Sequence, residues 1–287
     1  MPRRNRTDPP GGWHHVMSRG IERKPIFFDD EDRVLFGYLL GDVHDEYAVE
    51  VHAYCLMDNH FHLVLRCPES GISDVMHHLL SVFARRVNDR VGRWGHLYGG
   101  RFESRLLTTH GYIANVVRYI HRNPLDIAGV ASPASYRWSS HRHYLGRRAT
   151  PHWLFTEEIG GWFDHPTDFD AFVSGIELRL PTTHSEQPIV EDDLLDAVWL
   201  VSKEVSDASP RHLPAQRRAV ALNLLTSITP EHRDRVLSAL GLTPGTGALR
   251  SAHSRARSLA RSEYEVRVME QRVALLLGLP WEPQLAA

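Results

Sequence analysis

The sequence predicts an α+β fold, one antiparallel sheet with helices packed on it, followed by an all-α C-terminal domain. Three observations predict it. Segments with a two-residue apolar period alternate with segments of helical period through the first half of the chain. A short turn, Asp58–Asn59, separates two strand-like runs and makes them an antiparallel hairpin. From about Val190 onward only helical periodicity remains.

Taken in order, "WHHVMSR" at 13–19 reads as the first strand. "DDEDRVLFGYLLGDVHDEY" has helical spacing, with Val34, Leu35, Tyr38, Leu39 and Val43 on one face and acids in a first turn that suits the helix dipole. "VEVHAYCLM" is the second strand, with Val49, Val51, Ala53 and Cys55 alternating, and "HFHLVLRC" is the returning third. "GISDVMHHLLSVFARRVNDRVG" is a second helix, expected to be capped at Ser73 and closed by Gly92. "SRLLTT" suits a fourth strand, and "GYIANVVRYIHRN" a third helix stopped by Pro124. The resulting order, β-α-β-β-α-β-α, gives a first domain over residues 12–147. Residues 148–189, with Pro151, Pro166, Pro181 and many acids, read as an acidic connector with short helices around "DFDAFVSGIEL". Residues 190–277 form the helical domain.

The 287 residues suffice for one large domain or two small ones, and 42% hydrophobic with 24% charged residues is the composition of a globular protein. No apolar run approaches the ~20 residues of a membrane span, and the N-terminus lacks the apolar core of a secretory signal. The two cysteines, Cys55 and Cys67, lack metal-site spacing and are too few for a disulfide framework, so a reducing cytoplasmic location is expected. The net charge of −2 hides an asymmetry. Residues 81–150 carry 12 Arg against 3 acids, residues 151–200 carry 1 Arg against 11 acids, and residues 201–287 carry 12 Lys and Arg against 8 acids. Lys24 and Lys203 are the only lysines. Arginine is the better fork for phosphate oxygens, although a coding bias toward Arg would produce the same preference without the clustering.

"YCLMDNHFHLVLRC" places His60 and His62 one residue apart on the third strand, so both project to one face while Phe61 points into the core. Two such imidazoles hold one divalent metal or are simply satisfied strand histidines, and a partner decides between the two. Tyr119 and Asn123 in "VVRYIHRNP" are four apart and share a helix face. His, His and an amide oxygen suit Mg²⁺ or Mn²⁺ with water in the remaining positions, whereas Zn²⁺ more often recruits a third His or a Cys. A tyrosine is a weak nucleophile at its ordinary pKa of ~10, and a metal on the scissile phosphate would act as a Lewis acid. Tyr112, seven residues earlier, is a rival nucleophile.

"YCLMDNHFHLVL", "GHLYGGRFES", "RYIHRNP" and "YRWSSHRHYLG", with "SRGIERKPIFFDDEDR" nearer the N-terminus, resemble in order and spacing the REP-associated tyrosine transposases, single-tyrosine HUH endonucleases of the IS200-like type. The resemblance covers residues 12–147 and implies a ferredoxin-like nuclease domain. It further implies a single-stranded or hairpin DNA substrate, Mg²⁺ or Mn²⁺, and a 5′-phosphotyrosine intermediate. Residue by residue, it assigns the metal to His60, His62 and Asn123 and the nucleophile to Tyr119, with Tyr112 outside the matching block. Two positions depart from the family pattern, Asp126 and Glu103, where basic residues are usual. They remove positive charge where phosphate would pass, which bears on DNA affinity and sequence preference rather than on chemistry.

Arg19, Arg101, Arg118 and Arg122 lie near these blocks and are candidate phosphate contacts. Trp94, Tyr98 and Phe102, interleaved with Arg93 and Arg101, are candidates to stack unpaired bases, with core packing expected for at least two of them. The C-terminal helices resemble the helix-turn-helix region of the replication initiator DnaA, without its His-Ser-Thr signature. That likeness implies duplex DNA as a further partner, through Arg250, Arg255 and Arg257. The reading is therefore a metal-dependent single-strand DNA endonuclease and strand transferase of the transposase type, monomer or homodimer. The alternatives are a non-cleaving DNA-binding regulator and a phosphodiesterase that uses water.

Overall fold

The computed structural model describes residues 8–69, 71–175, 194, 197–198, 213–225, 230–240, 242–244, 246–262 and 264–277. The chain divides into two compact units, Met1–His184 and Ser185–Ala287.

In the first unit the strands are β1 (Gly12–Arg19), β2 (Glu50–Leu56), β3 (His60–Cys67) and β4 (Glu103–Leu107). They form one antiparallel sheet in the order β2-β3-β1-β4. Helices α1 (Asp30–Tyr47) and α2 (Ile72–Val91) precede β2 and β4, and α3 (His110–Arg122) follows β4. The element order is the one the periodicity predicts. The two-residue turn at Asp58–Asn59 is closed by Met57 N–H donating to His60 O at 2.9 Å.

The sheet has two covered faces. One carries Val16, Phe61, Leu63 and Leu65 into a core shared with α1 and α2. At its centre the rings of Phe36 and Phe61 are 4.9 Å apart, and those of Phe36 and Phe83 5.1 Å. Each buried phenylalanine contributes roughly 1.5–3 kcal/mol by burial alone. The other face carries His60 and His62 and packs against α3.

Three local expectations need correction. The core face of α1 is not the one read from spacing: Phe36, Leu39, Leu40 and Val43 are buried, while Val34 is 45% and Tyr38 71% exposed. Those two line a cavity of about 240 Å³ with Trp138 and Trp153, contributed by chain far downstream. In β2 the alternation breaks at a bulge between Val51 and Ala53. Beyond it Tyr54 and Leu56, not Ala53 and Cys55, join Val51 in the core cluster, because one extra residue flips the strand's faces. At the start of α2 the cap residue is Gly71, and Asp8 accepts from the Gly71 and Ile72 N–H groups at 2.7 and 2.9 Å. Gly92 closes α2 in the left-handed conformation, as expected.

Residues beyond α3 complete this unit. A 3₁₀ turn (Asn123–Asp126) ends α3 at Pro124, and the short helices α4 (His141–Tyr144), α5 (Glu157–Gly160) and α6 (Pro166–Ser174) follow. Leu154 bridges to Val51 and Ser139 to Cys55, which covers the outer edge of β2. Phe169, Phe172 and Val173 of α6 are buried. The region read as a connector thus packs into the first unit as far as it is described, and residues 176–189 lie outside the described residues.

The second unit holds α7 (Leu213–Asn223), α8 (Pro230–Ala239), α9 (Gly247–Ser262) and α10 (Tyr264–Leu277). Ala252, Ala256 and Ala260 form a buried stripe at i, i+4, i+8 along α9. Such small side chains let α7 approach closely, and Asn223 Nδ2 on α7 donates to Ala256 O at 3.4 Å. The Thr246 hydroxyl caps α9 by accepting from Leu249 N–H at 3.2 Å. No helix among the described residues is long and apolar enough to cross a membrane.

Candidate active site

β3, like β1, is hydrogen-bonded to a neighbour on both sides, so side chains on its α3-facing surface are held by one of the two inner strands of the sheet. In register, His60 faces Arg19 of β1, and His62 faces Met17 of β1 and Cys55 of β2. His60 is 7% and His62 0% exposed. From the opposing helix, Tyr119 and Asn123 reach the same point. Asn123 Oδ1 is 3.1 Å from His60 Nε2, and its Nδ2 is 3.5 Å from His62 Nε2. The Tyr119 ring stands edge-on to His62 with centroids 5.8 Å apart. The structure therefore gathers the four residues singled out in sequence, drawn from two elements about 60 positions apart, as the 63-residue separation of the His60–Asn123 contact records.

Each histidine is oriented from behind. His60 Nδ1 lies 2.7 Å from Asn59 Oδ1, so that nitrogen carries the proton and donates. Asn59 is itself fixed, its Nδ2 donating to Arg23 O at 3.0 Å. His62 Nδ1 lies 3.0 Å from His15 Nε2. Both Nε2 atoms then aim toward the Asn123 amide, with their second nitrogens already engaged. This is the outer-partner arrangement typical of metal-binding imidazoles. Among the described residues no group of three or more His, Cys, Asp or Glu side chains is placed to hold a metal. A cation here would be held by two imidazoles and an amide, with water completing the shell, a set that fits Mg²⁺ or Mn²⁺ better than Zn²⁺.

His15 is the functional neighbour that the sequence reading missed. It is 2% exposed, and burial, with the Arg105 charge adding, pushes its pKa down to about 3. Its Nε2 is the atom that faces His62 Nδ1, at 3.0 Å. Its ring also lies 6.3 Å from that of Tyr119. The signal in "WHHVMSR" was the two-residue step from His15 through Met17 to Arg19. Only the β1–β3 register shows that this step faces His62.

Helix α3 is fixed on its far side by a polar network. His121, two residues from both Tyr119 and Asn123, points away from them; its Nε2 is 2.7 Å from Ser140 Oγ. Ser140 Oγ accepts from Tyr54 N–H of β2 at 2.9 Å. His141 continues the chain, Nδ1 3.4 Å from His121 Nδ1 and Nε2 2.8 Å from Asp170 Oδ1. Burial, reinforced by His141 and His143, holds His121 well below the ordinary histidine range.

The arginines expected at phosphate sort differently. Arg101 is exposed, and Arg19 is half-buried beside His60 in the register. Arg118 does not fit a phosphate role: it is 4% exposed, stacks over Phe172 at 5.2 Å, and burial followed by Arg122 lowers its pKa to about 10. Arg122, half-buried, donates to Val173 O at 3.0 Å. Both hold α6 against α3 instead. Tyr98 and Phe102 pack in or against the core, and Trp94 is 97% exposed. In the second unit Arg250, Arg255 and Arg257 are exposed on α9.

Fold and site together define an α+β domain whose central strand offers two imidazoles to a tyrosine and an asparagine on a facing helix. Residues 11–123 match the model of the family described as "Transposase IS200 like". That segment is similar to an IS200-like transposase domain. A solved structure of a REP-associated tyrosine transposase bound to a REP hairpin aligns with a TM-score of 0.44 and 17% sequence identity, over 54% of this chain and 92% of that chain. No curated protein matches the sequence.

Proposed function

We propose that the protein is a metal-dependent single-strand DNA endonuclease and strand transferase that works through a phosphotyrosine at Tyr119, on hairpin DNA with a single-stranded flank. One observation carries the reading. His60 Nε2, His62 Nε2 and the Asn123 amide converge on one point, against which the Tyr119 ring is packed. A non-cleaving binder needs no such convergence, and a water-based hydrolase needs no tyrosine there.

His60, His62 and Asn123 would hold Mg²⁺ or Mn²⁺, which supplies Lewis acidity at the scissile phosphate when bound. Asn59 and His15 keep the two imidazoles turned toward it. Tyr119 Oη attacks phosphorus, the new Oη–P bond forms, and the P–O3′ bond breaks. The tyrosine proton is released and the departing O3′ takes one up, so charge and atoms balance. The 5′ end of one fragment is left on Tyr119 and a free 3′-OH on the other. The ester retains the energy of the broken bond, so attack by a 3′-OH reverses the step and joins strands without a nucleotide cofactor. His121 and its partners hold α3 so that this approach stays aligned.

The test uses 5′- and 3′-labelled hairpin oligonucleotides with Mn²⁺, resolved on a denaturing gel. The expected result is a metal-dependent covalent adduct that carries the 3′ label and is absent from Tyr119→Phe. An adduct that persists in Tyr119→Phe moves the nucleophile to another residue. Cleavage without adduct makes the enzyme hydrolytic, and binding with neither makes it a regulator.

A further inference from the structure

The segment between α2 and β4 carries a side chain that the proposed chemistry leaves unused. Trp94 is 97% exposed, although Tyr98 and Phe102 from the same segment are packed in or against the core. Its exposure is not that of a slack loop. Gly92 ends α2 at a left-handed φ of 65°, and Arg93 N–H donates to Asn88 O at 2.9 Å. Asn88 Nδ2 in turn donates to Gly95 O at 2.9 Å, where φ is 98°. The turn is pinned on both sides of the indole. Arg93 lies over Phe28, itself 43% exposed, at 5.8 Å from the ring centroid.

The charges around this turn are also unusual. Arg33, Arg66, Arg90 and Arg137 each pair with a carboxylate. Arg85, Arg86 and Arg101 are exposed and form no ion pair among the described residues. They flank Trp94 in sequence. The segment is also stitched to the catalytic end of the sheet. Gly99 N–H donates to Arg19 O at 3.0 Å, Ile21 N–H donates to Leu97 O at 3.1 Å, and Gly20 bridges to Tyr98. Gly20 N–H donates to Asn59 O at 2.9 Å, next to His60. Only glycine fits there, since a Cβ would stand 2.0 Å from Lys24 O. Trp94 is four residues from Tyr98, within about 14 Å of chain reach.

We propose that Trp94 is a stacking platform for an unpaired base of the strand that enters the site, with Arg85, Arg86 and Arg101 contacting the phosphates beside it. The proposal rests on the reading of the substrate as single-stranded DNA. An indole face accepts any base, and a rigid turn that holds it in water before binding spares the cost of ordering it. Exposed arginines that flank it in sequence, without carboxylate partners among the described residues, favour a polyanion over an apolar protein surface.

The experiment uses the full chain and a hairpin oligonucleotide with a single-stranded flank carrying 2-aminopurine at successive positions. Fluorescence anisotropy gives affinity and its salt dependence, and 2-aminopurine emission reports stacking. In Trp94→Ala, affinity should fall about ten-fold, with the salt slope unchanged because no phosphate contact is lost. Quenching at one flank position should disappear, and Trp94→Phe should restore most of both. A Trp94→Ala protein that binds within about two-fold of wild type, with the same quenching profile, overturns the proposal. An equal loss on a blunt duplex also overturns it, since no base is then unpaired. If wild type forms the Tyr119 adduct while Trp94→Ala changes nothing, stacking alone fails. If wild type binds no single-stranded DNA, the functional reading fails and the platform falls with it.

Discussion

Ser140 is fully buried, and its hydroxyl joins the sheet to α3. In Ser140→Ala its backbone N–H would still donate to Tyr54 O at 3.0 Å. What disappears is the acceptor for Tyr54 N–H at 2.9 Å and the partner of His121 Nε2 at 2.7 Å. Neither group can turn to solvent, because Tyr54 is 6% and His121 0% exposed. A buried polar group left without a partner costs about 1–3 kcal/mol. His121 keeps His141 on its other nitrogen, so the sum should fall near ~3 kcal/mol. The methyl group left by the substitution fills the site nearly as well as the hydroxymethyl did, so a cavity contributes little. For a unit of this size each kcal/mol moves the melting temperature by roughly 2–4 °C, which gives a drop of about 6–12 °C. Near-UV circular dichroism on the full chain would follow it, since the network sits among Tyr144, Phe169 and the histidine rings. Adduct formation should also slow while DNA affinity holds, because α3 carries Tyr119 and leads directly into Asn123. A melting temperature within about 1 °C of wild type would show that the network contributes nothing, and the argument for a braced helix would fail.

Three further expectations follow from the same geometry. His15→Ala should weaken Mn²⁺ binding about 10–100-fold without DNA present, read from the electron paramagnetic resonance of free Mn²⁺; unchanged affinity would remove His15 from the site. Stability should fall on acidification. Burial lowers the pKa of His141, which faces Asp170 and His121, and lowers that of His143, which faces Tyr54 and Arg148, to about 4. The unfolded chain takes up these protons near 6.5 while the folded one does not. The stability is thus complete above pH 6.5 and is lost as pH falls below it, for His143 down to about 4, at up to ~1.4 kcal/mol per pH unit for each group while only the unfolded chain is protonated. A urea midpoint that stays flat between pH 7 and 5 would contradict this. Replacing Arg250, Arg255 and Arg257 by Ala should reduce the salt slope of duplex binding by up to about 2.7, at ~0.9 per phosphate contact; an unchanged slope would assign α9 to packing.

The element order and the two pairs, His60 with His62 and Tyr119 with Asn123, were legible because they rest on short-range periodicity, while only the resemblance set Tyr119 above Tyr112. Two residues apart on a strand, or four apart on a helix, share a face wherever the element ends up. What stayed hidden depends on partners distant in sequence. His15 acquires its role only through the β1–β3 register, which no local pattern encodes. The bulge after Val51 reverses the faces of β2, and "EVHAYCL" offers no glycine or proline to mark it. Asp8 caps a helix 63 positions away. Arg118 and Arg122 looked like phosphate contacts because charge near a motif is all that a sequence displays, whereas packing of α6 turned them inward. Trp94 was separable from Tyr98 and Phe102 only once burial was known.

The location of His60 and His62 on a strand paired on both sides has a consequence for timing. Amides of that strand should be among the last to exchange with deuterium, since releasing them requires opening the sheet from two directions. The pocket is therefore assembled before any ion or nucleic acid arrives, and loading it should be a fast encounter rather than a slow maturation of the fold. Adjustment to differing substrates is left to the periphery, where loops can shift without disturbing the imidazoles. Target preference could thus diversify through edge residues while the chemistry at the centre stays the same.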